Sequence, residues 1–272
     1  MRIPLPERLR EQALQTSGEP VEPRHASTIV VVRDGDEGIE AYLMRRQTSM
    51  AFAAGMYVFP GGGMHESDMT FDGQWVGPSP AAWAERLRCD EALARGLVVA
   101  AVRETFEETG VLLAGPDAST VLADTSGAAM QAARDALEDG EMTFAGFLSD
   151  HGLILRADLI GAWAHWITPD FEPRRFDTRF FVAALPEGQR VGAMSREADH
   201  ADWMPLSRVL AAVEAGEAAM MPPTVTTCRG VAKHTAATIL DAAAARTIHT
   251  VEPRLVEVDG RLYLETDPGD HA

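Results

Sequence analysis

The stretch RETFEETG, residues 103–110, places three glutamates and one arginine immediately before a glycine. On a helix that spans residues 97–109, with about 100° between successive residues, Glu104, Glu107 and Glu108 fall within roughly a quarter to a third of the circumference. Like charges at neighbouring helical positions repel each other, so this spacing costs stability unless a cation lies among them. The pattern therefore raises the question of which cation the glutamates hold.

The residues alone support two interpretations of the three glutamates. Carboxylate oxygens that converge on one side of a rigid helix form a hard-ligand site suited to Mg²⁺ or Mn²⁺. Arg103 can orient one of these carboxylates through paired hydrogen bonds. Alternatively, the three side chains form a solvated acidic stripe, which is the ordinary role of glutamates on a helix surface. The spacing leaves both interpretations open.

The surrounding sequence predicts the elements that would position this helix. Residues 27–47 predict a β-hairpin, because two β-branched and apolar runs flank the turn formers Asp34, Gly35 and Gly38. The stretch MYVFPGGGM, residues 56–64, predicts a strand that runs into a glycine-rich loop. Helices are also predicted within 79–110 and 124–151 and at 206–216 and 230–246, strands at 158–168 and 178–185, and a final hairpin at 254–266.

The sequence resembles the Nudix hydrolase family in two segments. RETFEETG followed by Val111 resembles the second half of the Nudix box, and FPGG, residues 59–62, resembles the end of the strand that precedes the box. Five residues separate the last glycine of FPGG from Asp68, an acid one methylene shorter than the family's glutamate. Residues 69–102 then separate it from Arg103, 34 residues where the family has seven, so the box carries an insertion of 27 residues.

The insertion and the flanking segments resemble the branch of the family that contains the peroxisomal coenzyme A diphosphatase. Residues 42–62 are similar to the segment before the box in coenzyme A-cleaving members and keep Arg46, although Ala51 replaces a second arginine. Residues 166–186 also resemble this branch. The similarity to the branch is therefore distributed in patches along the chain.

The resemblance implies a Nudix fold of the α/β (α+β) class, with a mixed β-sheet sandwiched between helices. It implies a single domain over residues 27–272 that follows an N-terminal arm, residues 1–26. We expect a helical insertion at about 69–95 and a C-terminal extension, with its hairpin, at about 229–272. These two additions would cover the site or build a homodimer, and the sequence leaves both roles open.

The activity that the resemblance implies is metal-dependent hydrolysis of a nucleoside diphosphate linked to another group, with coenzyme A or an acyl-coenzyme A as the favoured substrate. It implies that Glu107 and Glu108 bind Mg²⁺ or Mn²⁺ directly, and that Glu104 joins them or accepts a proton from the attacking water. Arg103 is expected to orient a glutamate. A backbone carbonyl of the loop at Gly61 and Gly62 is the further expected ligand.

One acid and four arginines complete the predicted site. Family members recruit an acid from a later loop, and Glu197 lies where such a residue would be, with an ordinary surface glutamate as the alternative. Arg46, Arg174, Arg175 and Arg179 are candidates for binding the substrate, because the guanidinium fork can form paired hydrogen bonds with phosphate. The alternative for each arginine is a pair with one of the abundant acidic residues.

Two other functions remain open on the sequence alone. The substrate could be ADP-ribose, a nucleotide sugar or another nucleoside diphosphate. A non-catalytic Nudix module that senses a nucleotide is a different class of protein. Such modules tend to have lost glutamates of the box and to carry a DNA-binding helix pair. Here all three glutamates are present and no basic recognition helix is visible, which weighs against this class.

Composition restricts the partners. The chain has 272 residues and a formal net charge of -17, which argues against a nucleic-acid-binding surface. No run of about 18 apolar residues predicts a membrane span, and the opening residues lack an apolar core of signal-peptide length. The two cysteines, Cys89 and Cys228, predict reduced thiols. We therefore expect a cytoplasmic enzyme whose partner is a small-molecule nucleoside diphosphate rather than nucleic acid or membrane.

Overall fold

A computed structural model describes residues 2–5, 13, 19–48, 53–192 and 198–266, so candidate residue Glu197 lies outside the described residues. The strands within these ranges are β1 (Arg2–Pro4), β2 (Arg24–Gly35), β3 (Gly38–Arg46), β4 (Tyr57–Val58), β5 (Gly61–Gly63), β6 (Trp75–Val76), β7 (Ala114–Gly115), β8 (Ile154–Arg156), β9 (Gly161–Ile167), β10 (Phe176–Ala184), β11 (Ala198–Pro205), β12 (Thr250–Val251), β13 (Arg254–Val258) and β14 (Arg261–Glu265). The helices are α1 (Glu66–Met69), α2 (Pro80–Leu87), α3 (Glu91–Thr109), α4 (Ala128–Glu138), α5 (Phe144–Asp150), α6 (Leu206–Glu214), α7 (Pro222–Val231) and α8 (Ile239–Ala245). None of these helices has the length and apolar character needed to cross a membrane.

The described strands form one eight-stranded sheet and two three-stranded sheets. Six strands of the large sheet lie in the order β11-β3-β2-β10-β9-β12, with β4 paired to β3 and β5 paired to β2. β10 is parallel to β2 and β12 is parallel to β9, whereas the other pairings in this sheet are antiparallel. The prediction of a mixed sheet is confirmed.

Helices cover both faces of the large sheet. Alternate side chains of a strand point to opposite faces, and β2 shows this directly. Ile29 and Val31 pack in a hydrophobic cluster with residues of α2, α3, α4 and α5. Val30 and Val32 pack in a second cluster with residues of α6, α7 and α8. The sheet is therefore sandwiched between two helical layers.

Helix α3 carries the predicted glutamates and lies in the core. It begins after Asp90, whose carboxylate accepts a hydrogen bond from the backbone N–H of Leu93 at 2.9 Å. It ends at Gly110, which adopts the left-handed conformation with φ of 75°. The hydroxyl of Ser27 in β2 donates to the carbonyl oxygen of Leu97 at 2.6 Å, which joins the helix to the sheet. The helix is thus fixed at both ends and along its length.

The prediction of one helix over residues 230–246 is wrong. Helix α7 ends in this stretch, and a turn of seven residues separates it from the beginning of α8. In the turn, the backbone N–H of Thr235 donates to the side-chain oxygen of Thr238 at 3.1 Å. Threonine side chains offer the backbone an alternative to helical hydrogen bonds, which explains the break.

The C-terminal hairpin forms as the sequence predicts. β13 and β14 are antiparallel, and Asp259 and Gly260 between them have φ values of 50° and 73°. β1 adds a third antiparallel strand next to β14. The hairpin therefore belongs to a small sheet of its own, separate from the large sheet.

Candidate active site

Arg103 is the centre of a buried cluster of acidic side chains. Its guanidinium donates to the two carboxylate oxygens of Asp68 at 3.2 and 3.0 Å, and to Glu104 at 2.8 Å. It also donates to Glu107 at 3.1 Å and to the carbonyl oxygen of Gly63 at 2.9 Å. Since the arginine is only 2% exposed, these contacts replace the water that it loses on folding.

Asp68 contacts Arg103 across the long insertion in the box. The aspartate lies in α1, where its carboxylate accepts a hydrogen bond from the backbone N–H of His65 at 2.8 Å. It is 1% exposed. The chain leads away from Asp68 and comes back beside it at Arg103, and residues 69–102 between them form α2 and the first half of α3. The site residues predicted from the sequence did not include Asp68. Its separation from FPGG by five residues was the feature that could have identified it.

The loop at β5 requires glycine because the glutamates lie against it. Gly61 has φ of 153°, and a Cβ there would lie 2.4 Å from the carbonyl oxygen of Ser27. Its backbone N–H donates to the carboxylate of Glu108 at 2.6 Å. A Cβ on Gly62 would lie 2.5 Å from a carboxylate oxygen of Glu104. The loop and the helix are therefore complementary in shape and in hydrogen bonding.

Burial excludes the interpretation of the glutamates as a solvated stripe. Glu104, Glu107 and Glu108 are 9%, 8% and 8% exposed. Burial raises the pKa of Glu104 to about 7 against the attraction of Arg103, and burial also raises the pKa of Glu107. For Arg103, burial alone would lower the pKa, but the carboxylates of Glu104 and Asp68 outweigh it and raise the pKa.

The donor set of this cluster suits a hard divalent cation. Three buried carboxylates, those of Asp68, Glu104 and Glu107, share the single guanidinium of Arg103, and a fourth, that of Glu108, accepts a hydrogen bond from the backbone N–H of Gly61. Oxygen ligands with excess negative charge are what Mg²⁺ and Mn²⁺ prefer. Among the described residues, however, no three His, Cys, Asp or Glu side chains are grouped to hold a metal ion as they stand, and Glu104 and Glu107 point toward Arg103.

A cavity of about 880 Å³ opens beside the cluster. Its polar lining includes the glycine loop at β5, Arg103 and the three glutamates of α3. Much of the remaining lining is apolar and includes Phe59, Trp166, Phe176, Phe180, Met221 and Leu264. The site therefore combines a strongly acidic part with a large apolar part.

The cavity extends across the sheet from the glycine loop towards β12. Gly63 pairs with Ala26, Ala26 with Thr178, Thr178 with Trp166, and Trp166 with Val251. The first four residues of this row line the cavity. With about 4.8 Å between neighbouring strands, the part of the row that lines the cavity spans about 14 Å. The cavity is long enough to separate a diphosphate near the glutamates from a second group near β12.

The structure brings two of the four predicted arginines to the cavity. Arg46, at the end of β3, and the exposed Arg174 line it. Arg175 and Arg179 are buried at 8% and 4% exposure and are absent from the described lining. Arg179 is paired with Asp177, and Arg175 is bound to three other chain segments. These two arginines have the alternative role of pairing within the protein.

We predict that Arg103→Met lowers the free energy of unfolding by about 3–5 kcal/mol, because it leaves Asp68 as a buried carboxylate without its cation. Chemical unfolding at neutral pH measures the change. The matched control is Arg229→Met, since Arg229 and its partner Glu214 are 54% and 67% exposed. This exposed pair is expected to contribute less than about 1 kcal/mol.

A double variant separates charge from packing in this prediction. Asp68→Leu combined with Arg103→Met removes both charges, so the double variant should be more stable than Arg103→Met alone. A loss of less than about 1 kcal/mol in Arg103→Met would contradict the central role of this arginine.

Comparisons with known proteins agree with the fold. The chain is similar to the crystal structure of a NUDIX hydrolase from Alicyclobacillus acidocaldarius, with 28% identity and a TM-score of 0.68, over 79% of this chain and 93% of that chain. This similarity shows the Nudix fold. It extends over most of both chains.

Two curated proteins are similar in sequence. The acyl-coenzyme A diphosphatase NUDT19 of Xenopus laevis is 23% identical over 199 residues, which cover 60% of this chain and 52% of that protein. The putative nudix hydrolase 7 of Caenorhabditis elegans is 27% identical over 183 residues, which cover 67% of this chain and 52% of that protein. The chain thus spans about half the length of these relatives.

A family model described as the NUDT19 Nudix domain matches residues 79–230, which is more than half of the chain. The matched region begins inside the insertion and includes α3 with its glutamates. The chain belongs to the NUDT19 Nudix domain family.

Proposed function

We propose that the protein is a metal-dependent hydrolase of a nucleoside diphosphate linked to another group, and that coenzyme A or an acyl-coenzyme A is its favoured substrate. One observation supports this most directly. The buried guanidinium of Arg103 holds Asp68, Glu104 and Glu107 beside a glycine loop in the wall of a cavity of about 880 Å³. Burial of several acidic side chains in a cavity wall costs free energy unless they bind a cation there.

The metal ligands in this proposal are Glu107, Glu108 and a carbonyl oxygen of the loop at Gly61 and Gly62, with Glu104 as a further ligand or as the base. Mg²⁺ or Mn²⁺, when bound, would neutralise charge on the phosphates and lower the pKa of a bound water. Arg103 orients two glutamates, and the N–H of Gly61 orients Glu108.

The hydrolytic step moves one proton and exchanges one phosphorus–oxygen bond. The oxygen of a water molecule attacks one phosphorus of the diphosphate while a carboxylate accepts the proton, with Glu104 or Glu197 as the candidate base. The bond from that phosphorus to the bridging oxygen breaks, and the bridging oxygen leaves with the other phosphate. From coenzyme A, the products are 3',5'-ADP and 4'-phosphopantetheine.

The arginines of the cavity are proposed to bind the substrate's phosphates. An acidic protein with a net charge of -17 repels an anionic substrate, so local cations must hold it. Arg46 and Arg174 line the cavity and can each offer paired donors to a phosphate. Arg175 and Arg179 are less suited to this role, because both are buried in contacts within the protein.

The apolar part of the cavity supports coenzyme A species over other diphosphates. ADP-ribose and nucleotide sugars end in hydroxyl-rich groups that gain little from aromatic and methionine side chains, whereas the arm of an acyl-coenzyme A is flexible and largely apolar. The name of the Xenopus laevis relative, an acyl-coenzyme A diphosphatase, points the same way.

A substrate panel tests the proposed function. We expect kcat/KM for coenzyme A and an acyl-coenzyme A to exceed that for ADP-ribose and a nucleotide sugar by about tenfold or more with Mg²⁺ or Mn²⁺. Phosphate release in the presence of a phosphatase measures turnover. Preference for ADP-ribose or sugars would overturn the substrate assignment. No turnover of any member by the folded protein would favour a nucleotide-sensing module.

Substitution of the proposed ligands tests the role of α3. Glu107→Gln and Glu108→Gln should each lower kcat/KM by about 100-fold or more, since an amide keeps the size of the side chain but loses the charge. Glu91→Gln is the matched control, because Glu91 is exposed in the first turn of the same helix. Retention of activity within about threefold in both ligand variants would contradict the assignment.

A further inference from the structure

The C-terminal hairpin supplies part of the cavity wall. Leu264 in β14 and Pro253, directly before β13, both line the cavity and are both buried. They follow the end of the region that matches the family model, residues 79–230. This part of the wall is therefore an addition to the matched domain, although it borders the same cavity as the glutamates.

The strand pairing places β12, from which the chain enters the hairpin, far across the sheet from the glycine loop. β12 pairs with β9 at His165 and Trp166, and the chain then continues through Pro253 into β13. Trp166 is in the row of paired residues that begins at Gly63, so the glycine loop and β12 are separated by four strand-to-strand steps, about 19 Å. The chain therefore enters the hairpin from a strand that is four steps across the sheet from the glycine loop.

Arg175 joins the part of the cavity wall that the hairpin forms to other segments of the chain. Its guanidinium donates to the carbonyl oxygen of Thr168 at 3.0 Å, to the carbonyl oxygen of Val21 at 2.9 Å and to the carboxylate of Glu252 at 2.5 Å. Glu252 immediately precedes Pro253, and Thr168 itself lines the cavity. One buried side chain therefore fixes the hairpin, the segment before β2 and the loop after β9 in a common position.

We infer that the C-terminal hairpin determines specificity, and that Leu264 and Pro253 contact the apolar arm of a coenzyme A thioester whose diphosphate lies at the glutamates. Arg175 is a positioning residue for this wall. The inference rests on the proposed function for the identity of the substrate. It assigns the hairpin a role in substrate selection rather than in covering the site or in dimer formation.

Truncation of Leu264 tests the inference. In Leu264→Ala, the ratio of kcat/KM for lauroyl-coenzyme A to kcat/KM for coenzyme A should fall by about tenfold or more, because several methylene contacts are lost from an apolar pocket. Leu264→Met keeps the volume and should keep the ratio within about threefold of the wild-type ratio. Leu262→Ala is the matched control, because Leu262 lies on the same strand and is absent from the described lining.

Binding of S-lauroyl-pantetheine gives a second readout that needs neither diphosphate nor metal. Calorimetry should show weaker binding to Leu264→Ala than to the wild type and to Leu262→Ala, with unfolding midpoints recorded for each variant. Unchanged affinity and an unchanged substrate ratio in a folded Leu264→Ala would overturn the inference. If the wild type cleaves no diphosphate but lauroyl-pantetheine binding still depends on Leu264, the proposed function fails and the role of the hairpin stands.

Discussion

The need to compensate one buried guanidinium organises the site. Arg103 lies in the core of the helical layer, where its charge is tolerated only with carboxylate and carbonyl partners around it. Those partners come from α1, from the glycine loop and from its own helix. The same contacts that neutralise the arginine also fix Glu104 and Glu107 against the cavity. Stability of the core and geometry of the candidate site therefore depend on one set of interactions.

The sequence predicted the parts of the site that are local. The three glutamates lie on one helix, Gly110 ends it, and three consecutive glycines form the loop at β5. Spacing and residue type determine such features, because they depend on neighbours a few residues away. The hairpin of β2 and β3 and the C-terminal hairpin were predictable for the same reason.

The parts that could not be predicted depend on contacts between distant segments. The contact of Asp68 with Arg103 requires the insertion to return the chain to its starting point, which no local pattern encodes. Arg174, Arg175 and Arg179 are the same residue type in one short stretch of the sequence. Side chains alternate between the two faces along β10 and the residues just before it, so Arg175 and Arg179 point into the protein. The position of Leu264 in the cavity wall depends on the pairing of β12 with β9, whose paired residues lie 85 positions earlier in the chain.

The central claim is that the glutamates of α3 and the glycine loop hold a divalent cation, and a crystal structure with Mn²⁺ tests it most directly. Anomalous scattering identifies the ion without reference to activity. We expect an anomalous peak within about 2.5 Å of carboxylate oxygens of Glu107 and Glu108, with a carbonyl oxygen of Gly61 or Gly62 as a further ligand. A fully loaded crystal with no peak at α3, or with Mn²⁺ bound only elsewhere, would contradict it.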